Sequence, residues 1–519
     1  MFFKLASFAL AGIDAIEISV EIHISNGLPS FTIVGLPDKA VNESRQRVRA
    51  AIINSGYKFP QKKIIVNLSP ADIKKEGVFY DLPVAIAIIA ASSQIPELNM
   101  DIISKSGFIG ELSLDGQIKP VRGIISMAER CRDIKNKYFF IPGSNIFQAQ
   151  CIKDICIVKC ENLKQILKMV SDIDALKENL SGHSTKEESN CLNPDKSYDE
   201  YDVDFSEIKG QLKAKRAAEI AASGFHNLIF VGPPGAGKSM LARRIVTIMP
   251  PLSADESIEV TKIYSLNKKF GENLIKSRPF RNPHHTVSRA GLIGGGLLPK
   301  PGEISLSHRG ILFLDEFSQF PRCLIEDLRQ PVENRCIVIS RNNSFYNYPC
   351  NFMLIIATNP CNCGYFMDNS KKCRCSIKEI ENFWKNLSGP VMDRIDMRVN
   401  VARLKDEDIF SKTAGEDSLT IKTRVSDCHK IQKIRYAKTG TNYNSEAGLK
   451  LIYSWIEKSK EIKKIMPALF NTYHLSGRAF FSLIKVSRTI ADMENKEDIE
   501  TKHLMEAINY RVCSYNGKF

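Results

Sequence analysis

One stretch, Asn227 to Arg243, limits the folds open to this chain more than any other. Its apolar run Leu228 to Val231 reads as a buried strand. Gly232-Pro233-Pro234-Gly235-Ala236-Gly237-Lys238-Ser239 follows, and then a helical segment. Strand, Gly-x-x-x-x-Gly-Lys-Ser loop and helix, in that order, are the context a phosphate loop requires. The glycines let successive backbone N–H groups turn inward around an anion, and the helix N-terminus adds the positive end of its dipole. Lys238 would reach the β- and γ-phosphates, and the Ser239 hydroxyl would hold Mg2+. These residues imply a site for a nucleoside triphosphate, ATP with Mg2+.

Two later apolar runs carry complementary chemistry. Gly310-Ile-Leu-Phe-Leu-Asp-Glu-Phe317 reads as a buried strand ending in two carboxylates. Asp315 would hold Mg2+, directly or through water, and Glu316 would take a proton from the attacking water. Phe352-Met-Leu-Ile-Ile-Ala-Thr-Asn359 is a third such strand, whose polar tip Asn359 could orient that water.

The 519 residues predict about three or four domains. A formal net charge of +14 and a pI of about 9.0 point to a polyanionic partner. The longest apolar run, Leu82 to Ala91, is too short to cross a bilayer, so no membrane partner is expected. At the start of the chain, Lys4 interrupts the apolar residues Met1 to Leu10. A strand pattern follows at once, unlike a secretory leader. Fourteen cysteines are scattered except for one tight cluster, which disfavours a secreted disulfide framework and implies a cytoplasmic protein.

Read in order, Ile16, Ile18, Val20, Ile22 and Ile24 alternate with polar residues and predict a half-buried strand. A turn at Asn26-Gly27 leads to a second strand, Phe31 to Val34. Asp38 to Ser55 fits a helix stopped by Gly56, and Ile64 to Leu68 another strand. Asp81 is expected to cap an apolar helix, with Pro83 in its first turn. Residues 1–170 thus read as an α+β domain, and the polar residues 171–203 as a linker. An α/β phosphate-loop core is expected over 204–405 and an all-α region over 406–519. There Leu504, Ala507 and Ile508 form part of an apolar stripe.

Cys361-x-Cys363 and Cys373-x-Cys375 bring four thiols together and suit a closed, structural Zn2+ site, although the spacing is tighter than usual. Two segments look like insertions into the core. Arg281 to Lys300 contains His284, His285, Arg289 and the run Gly294-Gly295-Gly296. Arg335 to Tyr348 alternates strand-like residues around a polar tip that includes Arg341.

The N-terminal region resembles the ribosomal-S5-like fold shared with the Lon protease domain, through Lys74-Lys75-Glu76-Gly77, Asp81-Leu82-Pro83 and Gly110 to Val121. Glu76 to Ala85 holds no serine and Gly123 to Met127 no lysine, so a Ser–Lys dyad, and with it peptidase activity, is not expected. The three strand motifs match the AAA+ architecture. The whole chain resembles the ComM/YifB family of magnesium-chelatase-like AAA+ proteins through Arg278 to His285, Pro301 to His308, Asn359 to Gly364, Leu387 to Asp396, Leu475 to Ala479 and Ser487 to Asp492.

That resemblance implies a core with a helix-2 insert, a pre-sensor-1 hairpin and a helical lid. It makes Arg394 an arginine finger acting in trans on a neighbouring subunit, and Arg478 the sensor-2 arginine at the nucleotide. Arg281, His284, His285, Arg289 and Arg341 would lie on loops lining a ring channel, suited to phosphate contact without reading bases. If they do not, the N-terminal basic segment around Arg45, Arg47 and Arg49 is the next candidate. The implied activity is that of a homo-hexameric ATP hydrolase working on single-stranded or branched DNA, with helicase or branch-migration action in recombination or natural transformation. The alternative is a chelatase-type motor that remodels a metal-inserting partner.

Overall fold

The computed structural model describes residues 1–181, 202–404 and 415–511, apart from 73–74, 76, 96, 267–272, 297–298, 342–343, 367, 369, 388 and 474. The chain divides into two units. Unit 1 comprises Met1–Lys196, Ala254–Ile275 and Ser340–Tyr346; unit 2 comprises Ser197–Ser253, Lys276–Ile339 and Asn347–Phe519.

Unit 1 contains β1 (Phe2–Ala11), β2 (Asp14–Ser25), β3 (Ser30–Val34), β4 (Lys63–Ser69), β5 (Ser106–Phe108), β6 (Glu111–Leu112), β7 (Ile118–Lys119), β8 (Tyr138–Pro142) and β9 (Cys156–Cys160). Seven of these form one sheet, in the order β3-β4-β2-β1-β5-β8-β9. The alternation read from Ile16 to Ile24 lies on β2, which pairs antiparallel with both β1 and β4. The first residues, read above only as not a leader, are the strand β1, with Phe8 fully buried and Lys4 exposed. Helix Lys39–Asn54 begins at Asp38, whose side chain accepts the Val41 N–H at 2.7 Å.

Helix Asp81–Ala91 is apolar on every face and lies in the core, where Leu82, Ile86, Ile88 and Ile89 are fully buried. Each such side chain contributes about 1.5–3 kcal/mol relative to exposure. Asp81 does not cap this helix as expected; it is the first helical residue and makes no capping bond. Its carboxylate is fully buried and accepts from Arg47 Nε at 2.8 Å and from the Leu112 N–H at 3.4 Å. The Arg47 guanidinium takes both carboxylate oxygens, and such a two-bond charged pair outweighs a single bond to a helix N–H.

The residues expected as a linker begin with a helix, Ile173–Ser181, because Leu176 is buried and Ala175 and Leu180 pack against the same core. The remainder of that linker up to 201 lies outside the described residues. Residues 254–275, which the sequence reading grouped with the phosphate-loop core, cluster with unit 1. Helix Ala254–Ser265 lies there, and Lys262 Nζ pairs with Glu129 at 2.5 Å.

Unit 2 holds β10 (Leu228–Val231), β11 (Phe280–Arg281), β12 (Gly294–Gly295), β13 (Lys300–Pro301), β14 (Ile311–Leu314), β17 (Met353–Thr358) and β18 (Met397–Asn400), while β15 (Cys336–Arg341) and β16 (Ser344–Pro349) are divided between the two units. Five make a sheet in the order β11-β14-β17-β10-β18, each pair parallel. All of β10, β14 and β17 is buried, as a parallel sheet covered on both faces requires. The two insertions are paired ribbons, β12 with β13 and β15 with β16. Gly294 and Gly295 belong to the first, opposite Pro301 and Lys300.

The C-terminal part is all helical: Ser418–Tyr436, Leu449–Lys458, Lys460–Tyr473, Gly477–Met493 and Thr501–Arg511. Leu504, Ala507 and Ile508 are buried in its core. Asp492, also buried, accepts from Arg435, Arg488 and Asn444, so its charge is fully met.

Burial pushes the Asp81 carboxyl up to about 6, against the pull of Arg47. A carboxyl whose folded pKa exceeds its unfolded value of about 3.9 stabilises fully below that value and loses the contribution as pH rises through about 6. Two units correspond to about 3 kcal/mol. Chemical denaturation between pH 4 and 7 should show that loss in the native chain, and its absence in Asp81→Asn.

Candidate nucleotide site and the charges beside it

Register builds the site. Val231 pairs with Thr358, and Leu314 with Ile356, so β10, β14 and β17 end along one edge of the sheet. The loops that leave this edge bring residues 232–239, Asp315, Glu316 and Asn359 together, the expected place for ligands on a parallel sheet. Gly235 and Gly237 adopt φ of +77° and +89°, with nothing near a virtual Cβ. Backbone conformation, and not crowding, is what demands glycine there. Gly232 differs: a Cβ would meet the Val401 carbonyl oxygen at 2.1 Å.

Lys238 Nζ donates to the carbonyls of Gly232 at 2.6 Å and Pro233 at 2.9 Å, and to Asn359 Oδ1 at 3.2 Å. Burial draws its pKa down to about 8, opposed by Asp315 and Glu316. Ser239 Oγ donates to Asp315 Oδ2 at 2.6 Å, so the two expected Mg2+ ligands already touch. Glu316 has a left-handed φ of 49° and an exposed side chain. Its strained backbone points the carboxylate out of the sheet edge. Asn359 contacts the lysine amine. Pro234 and Ala236 complete the loop, Ala236 being buried.

The insertion residues sort differently from expectation. His285 Nδ1 lies 3.9 Å from Glu316 Oε2, its ring 4.1 Å from that of His284, which is exposed and bonds Thr286. It is thus His285, and not His284, that neighbours Glu316. Arg281 makes two bonds to Glu303, at 2.6 and 2.7 Å, and Arg289 two to Asp327, at 2.7 and 2.8 Å. Each already has a bidentate carboxylate partner, the strongest pairing open to an arginine. The side chain of Arg341 lies outside the described residues.

Arg394 and Arg478 meet on Glu333. Arg394 Nη2 pairs with Glu333 Oε2, and Arg478 Nη2 with Glu333 Oε1 at 2.7 Å. The pairing with Arg394 holds the Glu333 carboxyl below its ordinary range. Both arginines line a cavity of about 490 Å3 with Asn227, Arg335, Asp396 and Lys485. Among the described residues neither has a hydrogen bond or ion pair with the phosphate loop, Asp315 or Glu316. Arg478, expected at the nucleotide, thus stands beside Arg394 on Glu333. Glu333 escaped sequence reading because it is 61 residues from Arg394 and 145 from Arg478. Only its place in a helix just before the β15–β16 ribbon could have drawn notice.

The cysteine reading is brought together in space. Cys361 Sγ lies 3.4 Å from Cys363 Sγ and 3.7 Å from Cys373 Sγ, with Cys363 and Cys373 3.5 Å apart. All four ligand atoms, Cys375 included, fall within 4.8 Å of one another. The knuckle abuts the phosphate loop: a Cβ on Gly364 would meet Pro234 Cδ at 2.9 Å and Asn359 Cγ at 3.8 Å.

Residues 204–409 match the family described as magnesium chelatase, subunit ChlI; residues 20–145 match subunit ChlI of Mg-chelatase, and residues 415–511 its C-terminal part. The uncharacterized protein YifB of Salmonella typhimurium is 39% identical over 97% of this chain and 96% of its own length. The competence protein ComM of Haemophilus influenzae is 38% identical over 98% of this chain and 96% of its own. Lon protease 2 of Bacillus subtilis is 24% identical over 28% of this chain and 27% of its own.

The geometry separates two substitutions. Lys238→Ala removes the amine that, among the described residues, contacts the loop carbonyls, and should abolish nucleotide binding in titration calorimetry. Glu316→Gln leaves the cradle intact, so ATP should bind normally while phosphate release falls about 100-fold or more. Equal turnover by Glu316→Gln and the native chain would take the base elsewhere.

Proposed function

Because the chain belongs to the ComM/YifB family of magnesium-chelatase-like AAA+ proteins, we propose that it is an ATP-driven hexameric motor on DNA. Its action would be translocation on single-stranded or branched DNA, with helicase or branch-migration activity in recombination or natural transformation. The observation that carries the ring is the separation of charges within one chain. Arg394 and Arg478 sit together on Glu333, with no bond to their own phosphate loop. Two cations held this way suit the nucleotide of a neighbouring copy. The DNA part is supported by the net charge of +14 and by the likeness to a competence protein.

In this reading Lys238 and the loop N–H groups hold the β- and γ-phosphates. Ser239 and Asp315, already in contact, would hold Mg2+, which supplies charge neutralisation on the phosphate oxygens. Glu316 accepts the proton of the attacking water, with His285 Nδ1 3.9 Å from its carboxylate. Asn359 fixes the Lys238 amine and can orient the water. Arg394 of the neighbour meets the charge that develops on the γ-phosphate, and Arg478 adds a second contact.

A structural Zn2+ fits the four thiols. Sulfurs placed tetrahedrally about 2.3 Å from zinc lie about 3.8 Å apart, close to the separations of 3.4–3.7 Å among Cys361, Cys363 and Cys373. With four protein ligands no position stays open for water, so the ion would brace the knuckle against Pro234 without entering the reaction.

The second reading, a chelatase-type motor acting on a metal-inserting partner, draws on the three matched families, each described as magnesium chelatase. ATPase rates with single-stranded, duplex and forked DNA separate the two. Stimulation by forks is expected, and indifference to all three DNAs would favour the chelatase-type motor. Arg394→Ala should bind ATP normally and hydrolyse it about 10³-fold or more slowly. Mixing it with Lys238→Ala chains should restore part of the activity; no recovery at any ratio in intact hexamers would remove the trans assignment.

Zinc is expected at one ion per chain by elemental analysis, and Cys361→Ser with Cys373→Ser should lose it and lower the unfolding temperature before nucleotide affinity falls. A metal-free, equally stable native chain would exclude the site.

A further inference from the structure

Unit 1 carries a groove of about 490 Å3 beside β3, the edge strand of its sheet. Its floor is made by Phe31 of β3 and Phe59, with ring centroids 5.7 Å apart and planes tilted by 47°. The Arg49 guanidinium lies 5.5 Å from the Phe59 centroid, over that ring. Arg45, one helical turn before it, is exposed and donates to the Phe31 carbonyl at 3.3 Å. Lys62 adds a third cation to the walls, against one carboxylate, Glu43.

The basic segment of this helix therefore divides in two. Arg47 turns inward onto buried Asp81, whereas Arg45 and Arg49, four residues apart, share the face that forms the groove.

We propose that this groove binds single-stranded nucleic acid. The Phe31 ring, and the Phe59 ring with the Arg49 guanidinium over it, give this groove aromatic and guanidinium surfaces side by side. Bases stack on aromatic rings and on guanidinium planes whatever their sequence. Arg45 and Lys62 stand where a backbone running past those surfaces would place its phosphates. A duplex hides its base faces and gains only from the cations. An acidic peptide likewise gains from the cations and leaves the rings unused. The inference rests on the DNA reading above and places one DNA contact in unit 1, apart from the ATPase edge.

The test uses the full chain and fluorescence anisotropy with a labelled 30-mer of thymidylate, the same-length duplex, and poly-glutamate. The native chain should prefer the single strand. Phe59→Ala should weaken it about tenfold or more, the range of one lost base stack, and leave duplex binding nearly unchanged. Because Phe59 also packs against the core, Arg45→Gln with Arg49→Gln supplies a second, exposed variant. It should weaken the single strand and flatten log K against log salt by about 0.7 per lost phosphate contact.

Unchanged affinity and salt slope in the arginine variant, with native binding intact, overturn the groove and leave the motor reading standing. A native chain that binds no nucleic acid at any salt concentration overturns both. Poly-glutamate held as tightly as thymidylate, and lost equally in both variants, overturns the proposal in favour of an acidic protein partner.

Discussion

Val231 faces Thr358 on one side and Asn400 on the other, and this register is what everything at the sheet edge hangs from. Side chains on a strand alternate between faces, so a slip of one residue would exchange them all. Here it would carry Asp315 away from Ser239 and Asn359 away from Lys238, the two contacts that join three separate loops. The register is fixed by burial: every residue of β10, β14 and β17 is packed, and Asn227 ties the strands together at their other end by accepting from the Leu354 N–H at 2.9 Å and donating to the Arg394 carbonyl at 3.1 Å. Hydrophobic packing thus sets the positions of charges it never touches.

The second organising element is Glu333. Two guanidiniums brought close together repel unless an anion stands between them, and this carboxylate, held ionised by its partners, supplies that anion. The Arg394 side chain is only 6% exposed, while Arg478 is half exposed, so the pair is asymmetric. The two still share one carboxylate, Arg394 through Oε2 and Arg478 through Oε1. Among the described residues neither arginine bonds the phosphate loop of its own chain.

What could be read from the sequence was whatever is contiguous. The phosphate loop, the Asp315-Glu316 strand end and the Asn359 tip each sit within one short run, and the structure assembles them on one edge. The four cysteines were legible for the same reason, being confined to fifteen residues from 361 to 375. The α+β and α/β character and the helical C-terminal part followed from periodicity.

What failed to show were partners far apart in the chain. Nothing local distinguishes Glu333, Glu303 or Asp327 from other acids, yet each takes an arginine that sequence alone assigns to DNA or to a nucleotide. Asp81 was misread for the same reason: its position offers a helix cap, but its burial beside Arg47 offers something stronger. His285 was read as a channel residue and lies beside Glu316, because the loop that carries it returns to the sheet edge through β11. Gly364 has one further effect. Its missing side chain leaves just enough space for Pro234. The phosphate loop therefore leans against the sulfur knuckle on one flank, and any breathing of that loop must be directed away from it. In mechanical terms the knuckle is a backstop: Pro234 can move away from Gly364 but not towards it.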